Sequence, residues 1–342
     1  MSDLPEKTLN LSPAPRDGFP ETRGDSGRTR VDLPVVLVAG PTGVGKTAFA
    51  VALARALGFE IVNADSMQVY RYMDIGTAKP TPGERSAVPH HLIDIVDPDE
   101  PFDAGDYLAR ARPVIATLHE AGKVPIVVGG TGLYLKVLTR GICAGAPGDP
   151  DVRRRLIEEE RTLGLPALHE RLRDVDPPLG ARIHPNDRQR ILRALEVFHR
   201  SGKPLSHWQR QHRFEDAPYR TVKIFLHRQR EALYARINDR VDAMMAQGFL
   251  DEVRKLLAMG FGPELKPMQS LGYRQIARHL RGEMSLDEAV NEIRRDTRRY
   301  AKRQLTWFRA DPEYRWFDAA DTHGLVARIV RETPDLHDNR LR

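Results

Sequence analysis

The chain has 342 residues, 41% of them hydrophobic and 29% charged, with a net charge of +6 and a pI near 9.4. That length suits one or two domains with sizeable cores, no apolar run approaches the ~20 residues of a membrane span, and the basic balance favours anionic partners. Cys143 is the only cysteine, which excludes an internal disulfide or a cysteine-based zinc site and fits a reducing cytoplasm.

Residues 1–32 are poor in apolar residues and rich in Pro, Gly, Ser, Arg and Asp. They hold five basic and six acidic residues, so the positive charge belongs to the rest of the chain. An uninterrupted apolar stretch of ~7 residues, as a secretory signal needs, is missing, and the acidic residues argue against a transit peptide. We read a disordered, dispensable tail.

Pro34–Ala39 is a short apolar run, the pattern of a buried parallel strand. Gly40, Pro41, Thr42, Gly43, Val44, Gly45, Lys46 and Thr47 follow, and they fill every fixed position of the phosphate-loop pattern G-x-x-x-x-G-K-[ST]. The Ala/Leu-rich stretch 48–57 then reads as a helix. Glycines let the backbone curl so that several N–H groups face one anion, and the helix N-terminus adds partial positive charge. Lys46 is expected to reach the terminal phosphates and Thr47 to offer its hydroxyl to Mg²⁺. The loop specifies a diphosphate or triphosphate without saying which molecule carries it.

Residues 60–64 form the second expected strand, ending in Asp65-Ser66-Met67-Gln68-Val69-Tyr70. Ligands of open parallel sheets gather outside the carboxyl ends of the strands, which puts Asp65 at the rim of the phosphate loop as a general base or magnesium partner. A helix-capping or turn Asp is the plainer alternative. Residues 74–80 read as a loop. His90 and His91 lead into a further strand, and adjacent residues of an extended chain point to opposite sides, which disfavours a two-His metal site. A helix is expected over 102–122, with Asp103 as its cap, and then an apolar strand at 124–128. That strand runs into Gly129-Gly130-Thr131-Gly132 where an NTP hydrolase typically carries a magnesium-binding Asp. Two glycines and a hydroxyl at a helix start suggest a second anion cradle around Thr131, or simply close packing through glycine.

After Gly141 the pattern becomes helical, with a small-residue linker at 144–149 and helices expected at about 150–163, 166–173 and 187–200. We read residues 145–215 as a helical insertion between strands of the sheet, carrying Arg153, Arg154, Arg155, Arg188, Arg190 and Arg193. The next strand is 222–226. Helices follow at about 228–247, 250–259 and 270–281, and a capping box at Ser285 opens a long helix to about Phe308. Ile293, Thr297, Tyr300, Ala301 and Phe308 share one face of it, with Arg295, Arg298, Arg299, Lys302 and Arg309 opposite. Five cations on an outer face make a candidate nucleic-acid ridge, interrupted only by Glu292 and Asp296. Residues 314–317 are a last strand. The fold class is therefore α/β, a P-loop NTPase-like doubly wound parallel sheet with a helical insertion and a helical C-terminal part. The core spans 33–144 and 216–320.

From about residue 34 to 317 the chain resembles the bacterial tRNA dimethylallyltransferase (tRNA isopentenyltransferase) family. The matching segments are residues 40–47, Asn-Ala-Asp-Ser-Met-Gln-Val-Tyr at 63–70, Met-Asp-Ile-Gly-Thr-Ala-Lys-Pro at 73–80 and Pro-His-His-Leu-Ile-Asp at 89–94. They continue with Val-Gly-Gly-Thr-Gly-Leu-Tyr at 128–134, Arg-Ile-His-Pro-Asn-Asp at 182–187, Leu-Gly-Tyr-Arg-Gln at 271–275 and Ala-Lys-Arg-Gln-Leu-Thr-Trp-Phe-Arg at 301–309. The tail departs from the pattern, and the zinc finger of eukaryotic relatives is absent.

The resemblance implies transfer of a dimethylallyl group from dimethylallyl diphosphate to the N6 amine of the tRNA adenosine immediately 3′ of the anticodon. The phosphate loop would then hold a leaving group, which agrees with the lack of a hydrolase-type Asp. Implied roles are general base for Asp65, leaving-group stabilisation by Lys46, Thr47, Thr131 and Arg236, and Mg²⁺ held at Thr47. Implied tRNA contacts are Asp65, Ser66, Met67, Gln68, Thr131, Arg153, Gln189, Arg190 and Arg193, with Arg295, Arg299 and Lys302 on the basic helix. A cytoplasmic monomer that modifies the anticodon stem-loop is expected. Two other classes share some features. A small-molecule kinase or an adenylate isopentenyltransferase acting on free nucleotides would have no need of the basic helix, and a nucleotide-gated RNA-binding module would have no need of Asp65.

Overall fold

A computed structural model describes residues 34–143, 148–212 and 217–333. The expected N-terminal tail lies outside the described residues, as does most of the 144–149 linker. The chain divides into two compact units. One comprises Thr29–Arg140 with Ala217–Arg342, and the other is centred on Gly141–Asp216.

The first unit opens with β1 (Pro34–Ala39), α1 (Lys46–Leu57), β2 (Ile61–Asn63), α2 (Pro82–Ala87) and β3 (His90–His91). It continues with α3 (Ala104–Glu120), β4 (Ile126–Gly129) and α4 (Gly132–Arg140). The insertion carries α5 (Pro150–Leu163), α6 (Leu165–Val175), α7 (Pro177–Arg182), α8 (Arg188–Ser201) and α9 (Leu205–His212). The first unit resumes with β5 (Arg220–His227), α10 (Arg230–Ala246), α11 (Phe249–Ala258), α12 (Tyr273–Leu280), α13 (Leu286–Arg309), β6 (Arg315–Asp318) and α14 (Thr322–Glu332).

Among the described residues, six strands form one parallel sheet in the order β3-β2-β4-β1-β5-β6. β1 is buried along its whole length, as a strand covered by helices on both faces must be. Val36 pairs with Ile126 on one side and Val222 on the other, so β4 and β5 flank β1. The sheet thereby separates two apolar layers. Leu37, Val62 and Val127 face a layer built from α3, α4 and α10 to α13, with Tyr107, Ile115, Leu138, Phe249 and Ile276 among its members. Val36, Val38 and Ile126 face Phe49 and Leu53 of α1, Ile237 of α10 and Leu325 and Ile329 of α14. The insertion has its own core of Leu156, Leu168, Leu172, Ile191, Leu192 and Leu195.

Three differences from the sequence-based expectations have local causes. Helix α14 packs on α1, beyond the last strand expected from sequence; Asp321 caps it, accepting from the Gly324 N–H at 2.9 Å. Helix α7 starts on two prolines after the cap Asp176, too short for any periodicity to register. Helix α9 is likewise a single short segment after Pro204.

The order β2-β4-β1 has a direct consequence for function. The carboxyl ends of these adjacent strands deliver Asp65, the Gly129–Thr131 turn and the phosphate loop to one rim, with the glycine turn in the middle.

Candidate active site

The phosphate loop takes its shape from backbone freedom at glycine. Gly45 lies at φ 107° and is the N-cap of α1. A Cβ on Gly40 would come within 2.7 Å of the Leu226 carbonyl oxygen, so the strand-to-loop junction admits no side chain. Lys46 folds over the loop and donates to the Gly40 and Pro41 carbonyls at 3.0 Å each. Burial pushes its ammonium down to about 8, with Asp65 opposing the shift and Arg240 adding to it. The Arg236 Nε donates to the Gly43 carbonyl at 3.0 Å, and the Arg228 Nε to the Val44 carbonyl at 3.1 Å.

Asp65 is fixed by the turn that follows β2. Its N–H donates to the Asn63 Oδ1 (3.1 Å), while its Oδ1 accepts from the Met67 N–H (2.9 Å). No described residue donates to Oδ2, and Asp65 lines a cavity of about 520 Å³. Thr131 braces the same turn, its hydroxyl accepting from the Ser66 N–H at 3.0 Å. The expected second cradle is mainly a packing junction. A Cβ on Gly129 would sit 2.0 Å from the Ala64 carbonyl oxygen, one on Gly130 2.3 Å from the Gln304 amide, and one on Gly132 2.2 Å from the Trp307 indole. The Gln68 amide donates to the carbonyls of Thr77 (3.3 Å) and Ala78 (3.1 Å), and Ser66 and Met67 line the cavity.

Two residues without an assigned role from sequence complete the rim. Gln304 of α13 is buried and uses both ends of its amide, accepting from the Thr42 N–H of the phosphate loop (2.9 Å) and donating to the Gly130 carbonyl (3.0 Å). It ties the loop, the glycine turn and the basic helix together. Arg240, one turn beyond Arg236 on α10, lines the cavity, and no described residue accepts a hydrogen bond from it. Burial lowers its pKa, and Asp65 partly offsets that. Arg236 is exposed beside the loop, whereas the half-buried Arg240 is the cation facing Lys46 and Asp65. Tyr300 shares the space, its phenol raised to about 12 by burial, with the Asp65 charge reinforcing the shift. Met67, Ile237, Val241, Met244, Phe249 and Ile293 give the cavity an apolar side.

The long helix departs from its expected pattern at one position. Arg295, Arg299, Lys302 and Arg309 are exposed, but Arg298 is half-buried, bonded to Asn238 at 2.8 Å with Tyr234 beside it. Asp296 lies between Arg295 (3.1 Å) and Arg299 (3.5 Å) and holds both in place. In the insertion, Arg153 donates to Gln189 at 2.6 Å, and Arg193 pairs at 3.0 Å with the buried Glu196, which Arg153 also approaches at 3.9 Å, bringing Arg153, Gln189 and Arg193 to one face of α5 and α8. Arg190 is exposed beside Asp187 (3.4 Å), while Arg188 is held by Glu160 (2.6 Å).

Among the described residues, no group of three or more His, Cys, Asp or Glu could hold a metal. His90 turns to the Val88 carbonyl and His91 to Glu60. At the loop itself the donors are the Thr47 hydroxyl and the Asp65 carboxylate, both hard oxygens. They suit a magnesium ion that takes most of its ligands from phosphate oxygens and water.

A model of the IPP transferase family matches residues 68–311. A model of the ATPase family associated with various cellular activities matches residues 36–81, the segment around the phosphate loop. The chain is 94% identical, over the full length of both, to a tRNA dimethylallyltransferase of Syntrophobacter fumaroxidans. It is 54% identical over 86% of its length to the enzyme of that name from Geobacter sulfurreducens, covering 95% of it. The full-length tRNA isopentenylpyrophosphate transferase of Bacillus halodurans superposes with a TM-score of 0.67 at 41% identity, over 89% of this chain and 97% of that one. A eukaryotic dimethylallyltransferase captured acting on tRNA superposes with a TM-score of 0.77 at 29% identity, over 90% and 80% of the two chains.

Proposed function

The chain belongs to the IPP transferase family, and from that premise we propose that it transfers the dimethylallyl group of dimethylallyl diphosphate to tRNA, at the N6 amine of the adenosine 3′ of the anticodon. The observation that supports this reading best is the shared rim. One cavity brings a carboxylate with an open oxygen, Asp65, together with the half-buried cation Arg240 and Thr42 of the phosphate loop, beside an apolar wall that suits a prenyl chain.

The chemistry follows from that arrangement. The amine nitrogen attacks C1 of the dimethylallyl group, the C1–O bond to diphosphate breaks, and the amine proton passes to the Asp65 Oδ2. An adenine amine is a weak nucleophile, so a carboxylate within hydrogen-bond reach matters. Negative charge grows on the departing diphosphate. Lys46, Arg236, Arg240 and the loop N–H groups meet it there, in a low-dielectric site where such contacts are strongest. Magnesium, which Thr47 and the diphosphate oxygens would hold, adds further positive charge to the leaving group. The adenine must leave its stack to enter the cavity. A cytoplasmic monomer is part of the same proposal, and the single cysteine suits a reducing cytoplasm. Among the described residues no helix is long and apolar enough to cross a membrane. Incubating the protein with unmodified tRNA, Mg²⁺ and dimethylallyl diphosphate, followed by mass analysis of the nucleosides, tests the reading. One adenosine per tRNA gains a dimethylallyl group, whereas unchanged nucleosides would refute the assignment.

Diphosphate affinity is expected to depend on pH through Lys46. Its ammonium, held near 8 in the free protein, is favoured by a bound anion, so binding takes up a proton once the pH exceeds that value. Affinity is then level below about pH 7.5 and falls towards tenfold per pH unit above about pH 8.5. Calorimetry in buffers of different ionisation enthalpy reads the proton uptake directly. A K46A protein with the same pH step would assign the titration elsewhere.

For tRNA, the exposed cations of α13 are expected to meet backbone phosphates without reading bases. The pair of changes Arg295→Ala and Lys302→Ala, both outside the cavity lining, is expected to weaken tRNA binding and to reduce the slope of log K against log salt by about one unit for each phosphate no longer neutralised. Turnover at saturating tRNA and diphosphate affinity stay near wild type. An unchanged salt slope in the folded double variant would make this face a solubilising surface and shift attention to Arg153 and Arg190.

A further inference from the structure

The segment from Tyr70 to Lys79, in the connection between β2 and α2, belongs to no helix or strand of the sheet, and it is held in an unusual way. Two of its non-glycine residues, Tyr72 and Ala78, lie at positive φ, 66° and 46°. Such conformations persist only where surrounding contacts over-determine them. Three consecutive backbone N–H groups, of Asp74 (2.9 Å), Ile75 (2.7 Å) and Gly76 (3.0 Å), converge on the Glu252 carboxylate of α11. A fourth donor, the Tyr273 hydroxyl of α12, completes the set at 2.7 Å. Consecutive N–H groups facing one point form an anion nest, and here the anion is supplied by the protein. Burial, followed by the Glu252 charge, raises the Tyr273 phenol well above its ordinary range, so it stays a donor.

What the nest holds is a wall of the active site. Gly76 and Thr77 line the cavity with Asp65 and Met67. A Cβ on Gly76 would lie 2.2 Å from the Phe249 ring, so the turn is pressed against α11. The carbonyls of Thr77 and Ala78 in turn hold the Gln68 amide, three residues from the Asp65 carboxylate. Lys79, its side chain almost fully buried, ties the far end to the Tyr70 carbonyl (2.6 Å) and Asp74 (2.7 Å). Glu252 itself does not line the cavity.

We infer that Glu252 is a positioning residue of the transfer reaction, which sets the placement of the Gly76–Thr77 wall and, through Gln68, of the segment bearing Asp65. This rests on the proposed prenyl transfer. The phosphate loop shares none of these contacts, so diphosphate binding should be independent of Glu252.

The test uses the full chain with Glu252→Gln, Glu252→Asp and Tyr273→Phe. Calorimetry with inorganic diphosphate and Mg²⁺ gives affinity and the fraction of folded sites. Single-turnover transfer to tRNA, at saturating tRNA and dimethylallyl diphosphate, gives the rate per folded site. Glutamine keeps the shape, but its amide group turns a donor toward the Gly76 N–H. The expected result is diphosphate affinity within about twofold of wild type with the transfer rate down about 10²-fold, the scale of an ångström of misplacement. Tyr273→Phe, which removes one of four donors, lowers the rate several-fold, and Glu252→Asp recovers part of the loss. A wild-type rate per folded site in Glu252→Gln would overturn the inference. So would a fall in diphosphate affinity matching the fall in rate, which would make Glu252 a general support of the fold. A wild-type protein that transfers nothing would overturn the functional reading along with it.

Discussion

Replacing Asp65 by Asn is expected to lower the rate of prenyl transfer by roughly 10²–10⁴-fold while leaving tRNA affinity nearly unchanged. The amide fills the same volume and its oxygen can still accept from the Met67 N–H, so the turn built by Asn63, Asp65 and Met67 survives. It is the cavity-facing Oδ2 that changes. As an amide nitrogen it cannot take the proton that the attacking amine must lose, and it presents a donor where an acceptor is needed. The substitution also removes the negative charge facing Lys46 and Arg240. Diphosphate should therefore bind as well as in wild type or better, which separates loss of the base from loss of the phosphate site. Single-turnover rates beside equilibrium binding of both substrates make the measurement. Weak tRNA binding combined with a normal rate in the bound complex would recast Asp65 as a contact residue.

The Lys46→Ala substitution is expected to cost on the order of 10²–10³-fold in rate. Among the described residues, the ammonium bonds in the free protein only to the Gly40 and Pro41 carbonyls, and burial already weakens its hold on the proton. A departing diphosphate is the anion that this geometry suits, and the interaction strengthens as the C–O bond breaks. The loss in rate should thus exceed the loss in affinity for intact dimethylallyl diphosphate. Arg236 and Arg240 remain, so the variant keeps measurable activity. Wild-type turnover would remove the phosphate loop from the mechanism.

The phosphate loop is legible in the sequence because its requirements are local. A strand, curled glycines, a lysine and a helix start are contiguous, and each leaves its mark within fourteen residues, 34–47. Asp65 is legible through topology, since a strand end in a parallel sheet has a known destination. What stays hidden is held across the chain. Gln304 meets Thr42 at a separation of 262 residues and Glu252 meets Asp74 at 178. An amide or a carboxylate on a helix carries no sign of a backbone partner that far away. Arg240 shows a different limit. Periodicity places Arg236 and Arg240 four apart on one helix, but only the packed structure shows that one is exposed at the loop and the other half-buried in the cavity. The basic helix keeps the alternation its sequence implies, yet Arg298 is half-buried against α10 because Asn238 and Tyr234 of that helix offer it partners. The glycines at 129, 130 and 132 resemble an anion cradle for a related reason. Glycine marks close approach, and the sequence does not say whether an anion or another part of the chain does the approaching.

If the phosphate loop grips a leaving group and hydrolyses nothing, the stoichiometry of the reaction must show it. The decisive sample is an ATP-free mixture of the protein, Mg²⁺, dimethylallyl diphosphate and unmodified tRNA, with released diphosphate and prenylated nucleoside counted together. We expect one diphosphate per dimethylallyl group transferred, no release without tRNA, and no effect of added ATP other than competition. Transfer that required ATP, or diphosphate release that continued without tRNA, would contradict a loop built for a leaving group.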